Sequence, residues 1–158
     1  MRAEAAIRAA LDDVTAPALT AWAEARGDRR EGGSSVEERI AVLSVIRTRA
    51  RLGRQTLKAV CLAPRQFSCW NPGDDTNHLA LLEQAERLVT HQAVDPILLE
   101  TIYLAEGIAG DVILDRVGGA THYYAPDAMV PRGRVPAWAR GRRPVAVVGR
   151  QLFFRLHD

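Results

Sequence analysis

Glu24 is the residue whose setting most invites chemistry. It sits near the end of Leu19-Thr20-Ala21-Trp22-Ala23-Glu24-Ala25-Arg26-Gly27, a stretch of good helix formers with little other charge. At helical spacing its neighbours are Thr20, Ala21 and Gly27, all small, so a bulky ligand has room to approach the carboxyl. Trp22 and the alanines would make the surroundings apolar. Desolvation and the negative end of a helix both raise a carboxyl pKa, toward that of a general acid. The same pattern also describes a surface glutamate paired with Arg26 or with the neighbours of Asp28.

Other reactive groups are sparse. His78, His91, His122 and His157 show no pairing three or four residues apart, so a zinc site would have to be assembled by the fold, and each reads as a surface or hydrogen-bonded histidine. Cys61 and Cys69 lack metal-ligand spacing. They either pair in an oxidising compartment or stay as buried free thiols, the reading their neighbours Val60, Leu62, Phe67 and Trp70 favour. No nucleophile-elbow motif marks a catalytic serine. No cofactor or metal is called for.

The elements that must position Glu24 follow from caps and punctuation. Residues 3–13 and 16–26 read as two Ala-rich helices with a bend at Asp13-Val14-Thr15-Ala16, Pro17 suiting a first turn and Gly27 ending the second. After the polar stretch Gly27 to Ser35, both Ser34 and Ser35 are followed three residues later by Glu, the capping-box spacing. A core helix should run from there to about Leu52, with Val36, Ile40, Val42, Leu43, Val45 and Ile46 as its apolar stripe. Glu37 and Glu38 at its start and Arg47, Arg49 and Arg51 at its end would complement its dipole.

Residues 55–61 add a further turn, and Trp70 should anchor the loop Asn71-Pro72-Gly73-Asp74-Asp75. Thr76 or Asn77 can cap a helix to about His91, marked by Leu79, Leu82, Ala85, Glu86 and Val89, and Asp95-Pro96 opens another ending near Gly107. Three short strands follow, at residues 119–124, 145–148 and 152–154, the last two flanking Gly149-Arg150-Gln151. On the first, Thr121 and Tyr123 would face one way and His122 and Tyr124 the other. The expected fold is α+β, a mainly helical body with a small antiparallel sheet near the C-terminus, in a single domain over 1–158.

Composition agrees with one globular domain: 158 residues, 47% hydrophobic and 25% charged, net +2. No apolar run approaches the roughly 20 residues of a membrane span, and Met1-Arg2-Ala3-Glu4 lacks the apolar core of a signal peptide, so cytoplasmic synthesis without stable membrane insertion is expected. Residues 129–158 hold seven Arg against Asp158, leaving the first 128 with 14 bases and 18 acids. Such a tail could meet an anionic polymer, nucleic acid or acidic cell-wall material, or simply be solvated. It lacks aromatic interleaving apart from Phe153-Phe154, and no helix-turn-helix or finger appears, so nucleic acid is not expected as a partner.

Five stretches occur in order: Trp22-Ala23-Glu24-Ala25-Arg26-Gly27-Asp28 with Glu31-Gly32; Ala41 to Arg49; Gln66-Phe67-Ser68-Cys69-Trp70; Gly119-Ala120-Thr121-His122-Tyr123-Tyr124-Ala125; and Pro136-Ala137-Trp138-Ala139. Together they resemble the motifs of the SleB-like cell-wall hydrolases, a family of spore-cortex-lytic and phage endolysin-type enzymes. The resemblance covers about residues 20–140. Asp28 departs from it, standing where the motif usually reads Glu.

The resemblance implies a lysozyme- or lytic-transglycosylase-like domain that cuts the peptidoglycan glycan strand between N-acetylmuramic acid and N-acetylglucosamine, with Glu24 as its one catalytic acid and then base. Attack by the sugar's own 6-hydroxyl would need no second carboxylate; hydrolysis would need one, with Asp28, Glu31 or Asp111 as the candidates. Thr121 and Tyr123 would bind the N-acetyl group or orient Glu24. Tyr124, Gln66, Phe67 and Trp70 would join the substrate groove, although Tyr123, Trp70 and Trp138 could equally serve packing, and packing is the favoured reading for Tyr124. Delivery would come through a holin-type pore or a virion. The alternatives are an N-acetylmuramoyl-L-alanine amidase and a non-catalytic wall-binding virion component.

Overall fold

A computed structural model describes residues 3–26, 35–73 and 77–157. Its six α-helices are α1 (Glu4–Ala10), α2 (Thr15–Glu24), α3 (Val36–Gly53), α4 (Leu57–Leu62), α5 (His78–Val89) and α6 (Pro96–Ala109). Strands β1 (His122–Tyr124), β2 (Ala146–Val148) and β3 (Gln151–Phe154) form one antiparallel sheet in the order β1-β3-β2. The α+β expectation holds, and most helix starts fall where the caps placed them. The loop Gly27 to Ser34, with Asp28 and Glu31, and the residues Asp74, Asp75 and Thr76 lie outside the described residues.

Helix α2 is the axis of the body. Ala16, Ala18, Leu19, Thr20, Ala21, Trp22 and Ala23 are all buried, and α3, α4, α5 and α6 pack around them. A helix that is apolar on all sides belongs in such a position. Helix α3 starts at Ser35, whose hydroxyl accepts the Glu38 N–H at 3.1 Å, so of the two serines it is the second that caps. The α3 stripe is buried apart from Val36.

Helix α5 turns differently from its expected spacing. Its buried face is His78, Leu81 and Ala85, while Leu79 is exposed. His78 fixes this rotation, because its Nδ1 donates to the Cys69 carbonyl at 2.8 Å, an acceptor that obliges Nδ1 to carry the proton.

The sheet lies against α3. Tyr123 pairs with Phe153 and His122 with Phe154. Phe153 packs on Ala41 and Val45 of α3, with Val117 and Ala120 completing this second core. On the other face His122, Tyr124 and Phe154 gather around Trp138, the ring centroids 5.1–5.8 Å apart. Strand β3 begins one residue earlier than expected, with Val148 paired to Gln151 across a two-residue turn.

Gly149 opens that turn at φ +57°, where a side chain is strained, and a Cβ there would run into the Glu38 carboxyl. Replacing Gly149 by Ala is expected to lower unfolding free energy by roughly 1–3 kcal/mol, read as a lower midpoint in denaturant with unchanged slope.

Candidate active site

Glu24 is the last residue of α2 and the only acid on that helix. The central helix therefore carries one carboxyl from the core to the surface. Tyr123 Oη donates to Glu24 Oε2 at 3.2 Å, and the Cys69 N–H approaches Oε1 at 3.4 Å. The two donors reach the carboxyl from β1 and from the turn at Ser68–Trp70, 99 and 45 residues away in sequence. A third contact supports the backbone, Gln151 Nε2 donating to the Glu24 carbonyl at 3.4 Å. The Gln151 side-chain oxygen is buried and unpartnered among the described residues.

Tyr123 is held as a donor. Although part of the residue keeps solvent contact, burial pushes its phenol well above the ordinary range, and the neighbouring Glu24 adds to this. It stays protonated at any pH where the protein would work.

The turn carrying the Cys69 N–H is pinned on four sides. Trp70 Nε1 donates to Thr20 Oγ1 at 2.9 Å, Arg8 donates to the Trp70 carbonyl at 2.7 Å and stacks over its ring at 5.1 Å, and His78 holds the Cys69 carbonyl. Trp70 is only 2% exposed, and Thr20 and Ala21 are fully buried. Thr20 and Ala21, two of the small residues beside Glu24, therefore face Trp70 and the core instead of leaving the expected approach for ligand, and Trp70 takes the anchoring place that was one of its two expected readings. Gly27, the third small neighbour, lies outside the described residues.

Of the other expected groove residues, Phe67 is buried beneath Arg49, whose guanidinium lies 5.0 Å from its ring. Gln66 is exposed and borders a cavity of about 330 Å³. Tyr123 reaches Glu24, whereas Tyr124 packs with Phe154 and Trp138 on the opposite sheet face, as the strand alternation requires. Thr121 is 7% exposed; its hydroxyl meets His122 Nδ1 at 2.9 Å and the Leu156 N–H at 3.4 Å. Arg26 stacks on Trp22 at 4.5 Å.

Arg49 belongs to the site, and its sequence position gave another meaning. The three arginines near the α3 end look alike as partners of the helix dipole but have separate tasks. Arg47 is buried and donates to the carbonyls of Ile108 and Ile113 at 3.2 and 2.6 Å. Arg51 pairs with Asp111, which Arg47 also reaches at 3.4 Å, so this carboxylate, a candidate second acid, is committed to a structural pair. Arg49 donates its Nε to the Thr121 carbonyl at 2.6 Å and sits in the field of both Tyr123 and Glu24. Burial pulls its guanidinium below the ordinary range while those two groups work the other way. The only sequence signal for Arg49 was its place in the Ala41–Arg49 motif.

Cys61 and Cys69 are free and buried, and burial pushes the Cys61 thiol up to about 12. Neither thiol is expected to react with an aromatic disulfide reagent at neutral pH until denaturant is added; rapid labelling of the native chain would contradict their placement. Among the described residues no three His, Cys, Asp or Glu side chains gather as a metal site requires, and no helix is long and apolar enough to cross a membrane.

Residues 33–154 match a family model described as Cell Wall Hydrolase. Glu24 lies outside the matched segment. The chain is also similar to the catalytic domain of the Bacillus cereus SleB protein, at 20% identity, covering 89% of this chain and 88% of that one with a TM-score of 0.56. That likeness concerns the fold. No curated protein sequence matches significantly.

Proposed function

The chain belongs to the cell wall hydrolase family, enzymes of peptidoglycan hydrolysis, and from that premise we propose that it cuts the glycan strand, between N-acetylmuramic acid and N-acetylglucosamine, with Glu24 as general acid and then base. The observation that carries this reading is the Glu24 carboxyl itself, set at the end of a buried helix with a locked phenol on one oxygen and a backbone N–H near the other.

In the first step the protonated Glu24 gives its proton to the glycosidic oxygen as the C1–O bond breaks, leaving a free 4-hydroxyl on the departing sugar. The oxocarbenium-like sugar gains charge as Glu24 becomes anionic, and the donors from Tyr123 and Cys69 stabilise that anion without reorganising. Glu24 then takes a proton from the attacking hydroxyl. If the attacker is the sugar's own 6-hydroxyl, a C1–O6 bond closes a 1,6-anhydro ring and the enzyme is a lytic transglycosylase. If it is water, a reducing end results and the enzyme is a muramidase, which calls for a second base. Tyr123 supports the first route, since it orients Glu24 without contributing another carboxylate. The basic tail would then help hold the anionic wall, and delivery by a holin-type pore or a virion is part of the same proposal.

Digestion of peptidoglycan in water enriched in oxygen-18 separates the routes. Fragments lighter by one water and free of label are expected. Labelled reducing ends would replace transglycosylation by hydrolysis, and label confined to freed lactyl carboxyls would mean amide cleavage.

A further inference from the structure

The cavity bordered by Arg49 and Gln66 is not needed for the proton transfers. It lies between the end of α3, α4 and β1, with Arg49, Gln55, Gln66 and His122 as its polar wall and Leu52 and Val60 as its apolar one. Arg49 joins it to the reaction centre, lining the cavity while sitting in the field of Glu24 and Tyr123. Its Nε is committed to the Thr121 carbonyl and its plane to Phe67, which fixes the guanidinium. Among the described residues its two terminal nitrogens have no hydrogen-bond acceptor. His122 adds no competing charge, because burial and Arg49 itself hold its pKa below the ordinary value.

A fixed cation whose terminal donors meet no acceptor among the described residues, flanked by two amides and an aliphatic wall, suits a carboxylate next to a small alkyl group and an amide. We propose that this cavity is the subsite for the carboxylate-bearing lactyl arm of the amino sugar next to the scissile bond. The carboxylate would pair with Arg49, while Gln55 and Gln66 take amide groups and Leu52 and Val60 take the methyl. The proposal rests on the glycan-cleaving reading and adds to it a selection for muramyl over plain N-acetylglucosamine units. The carboxylate can belong to the lactyl group itself or to the peptide extending from it; both present the same chemistry to Arg49.

Affinity is best measured in a Glu24→Gln background, where ligand is not consumed. Three ligands serve: muramyl glycan with stem peptides, the same glycan stripped to free lactyl groups, and a chitin oligosaccharide with no lactyl arm. Arg49→Gln is expected to weaken binding of a carboxylate-bearing ligand on the order of 10- to 100-fold, the worth of one charge-assisted hydrogen bond, and to leave the chitin oligosaccharide unchanged. A loss confined to the stripped glycan assigns the lactyl carboxylate, and one confined to the peptide-bearing glycan assigns the peptide. Gln66→Glu is the independent variant, since Gln66 is exposed and outside the core; its added charge should repel both acidic ligands and spare the neutral one. Equal losses for all three ligands in both variants would overturn the subsite while leaving glycan cleavage standing. Failure of all three to bind before either change would overturn both readings.

Discussion

Glu24→Gln is expected to lower the rate of peptidoglycan solubilisation by about 10²- to 10⁴-fold, the contribution of a positioned general acid, with the far-ultraviolet circular dichroism and thermal midpoint close to the parent's. The fold should tolerate the change because an amide keeps the carboxyl's shape. Its oxygen can accept the Cys69 N–H and its NH2 can donate to the Tyr123 oxygen, since a phenol accepts as well as donates. What is lost is the proton. Glu24→Asp should also lose most activity, because a side chain one methylene shorter withdraws from donors already at 3.2 and 3.4 Å. A wall-binding protein without catalysis would show neither loss in binding assays, which is how the variants separate the two accounts.

Trp70→Ala is expected to cost about 3–5 kcal/mol of stability, the range for emptying a large aromatic site, and to disable the enzyme as well. The tryptophan is 2% exposed, its indole N–H is bound to Thr20, and Arg8 covers its face. Removing it leaves a cavity against α2 and frees the turn that aims the Cys69 N–H at Glu24. Trp70→Phe should recover part of the stability, lacking only the bond to Thr20. Chemical denaturation of the two variants distinguishes an anchor from a sugar platform, because a stacking residue would raise KM with the denaturation midpoint unchanged.

Local signals in the chain placed most of the elements. Ser35 and Asp95 are side-chain caps at helix starts, and Asp95 accepts the Ile97 N–H at 2.7 Å; such signals act over three residues and are visible in sequence. The period of a strand separated Tyr123 from Tyr124 for the same reason. The site was less legible, because its partners are tens of residues apart. Nothing near Thr20 indicates that Trp70 will cover it, 50 positions on. Nothing in the Arg47, Arg49, Arg51 alternation says that one meets the α6 end, one Asp111 and one the Thr121 carbonyl. The motif order names Thr121, Tyr123 and Gln66 without saying what each touches: the Tyr123 phenol meets Glu24, while the Thr121 hydroxyl meets His122 and the Leu156 N–H. The buried face of α5 was set by a tertiary contact of His78, which overrode the apolar spacing from Leu79.

The most direct test of the central claim is to digest purified peptidoglycan with the parent chain and with Glu24→Gln in parallel, and to weigh the soluble fragments by mass spectrometry. The account predicts glycan-strand fragments ending in anhydro-muramyl units from the parent and almost none from the variant. Free stem peptides as the main product, or fragments from Glu24→Gln in the parent's amount, would contradict it.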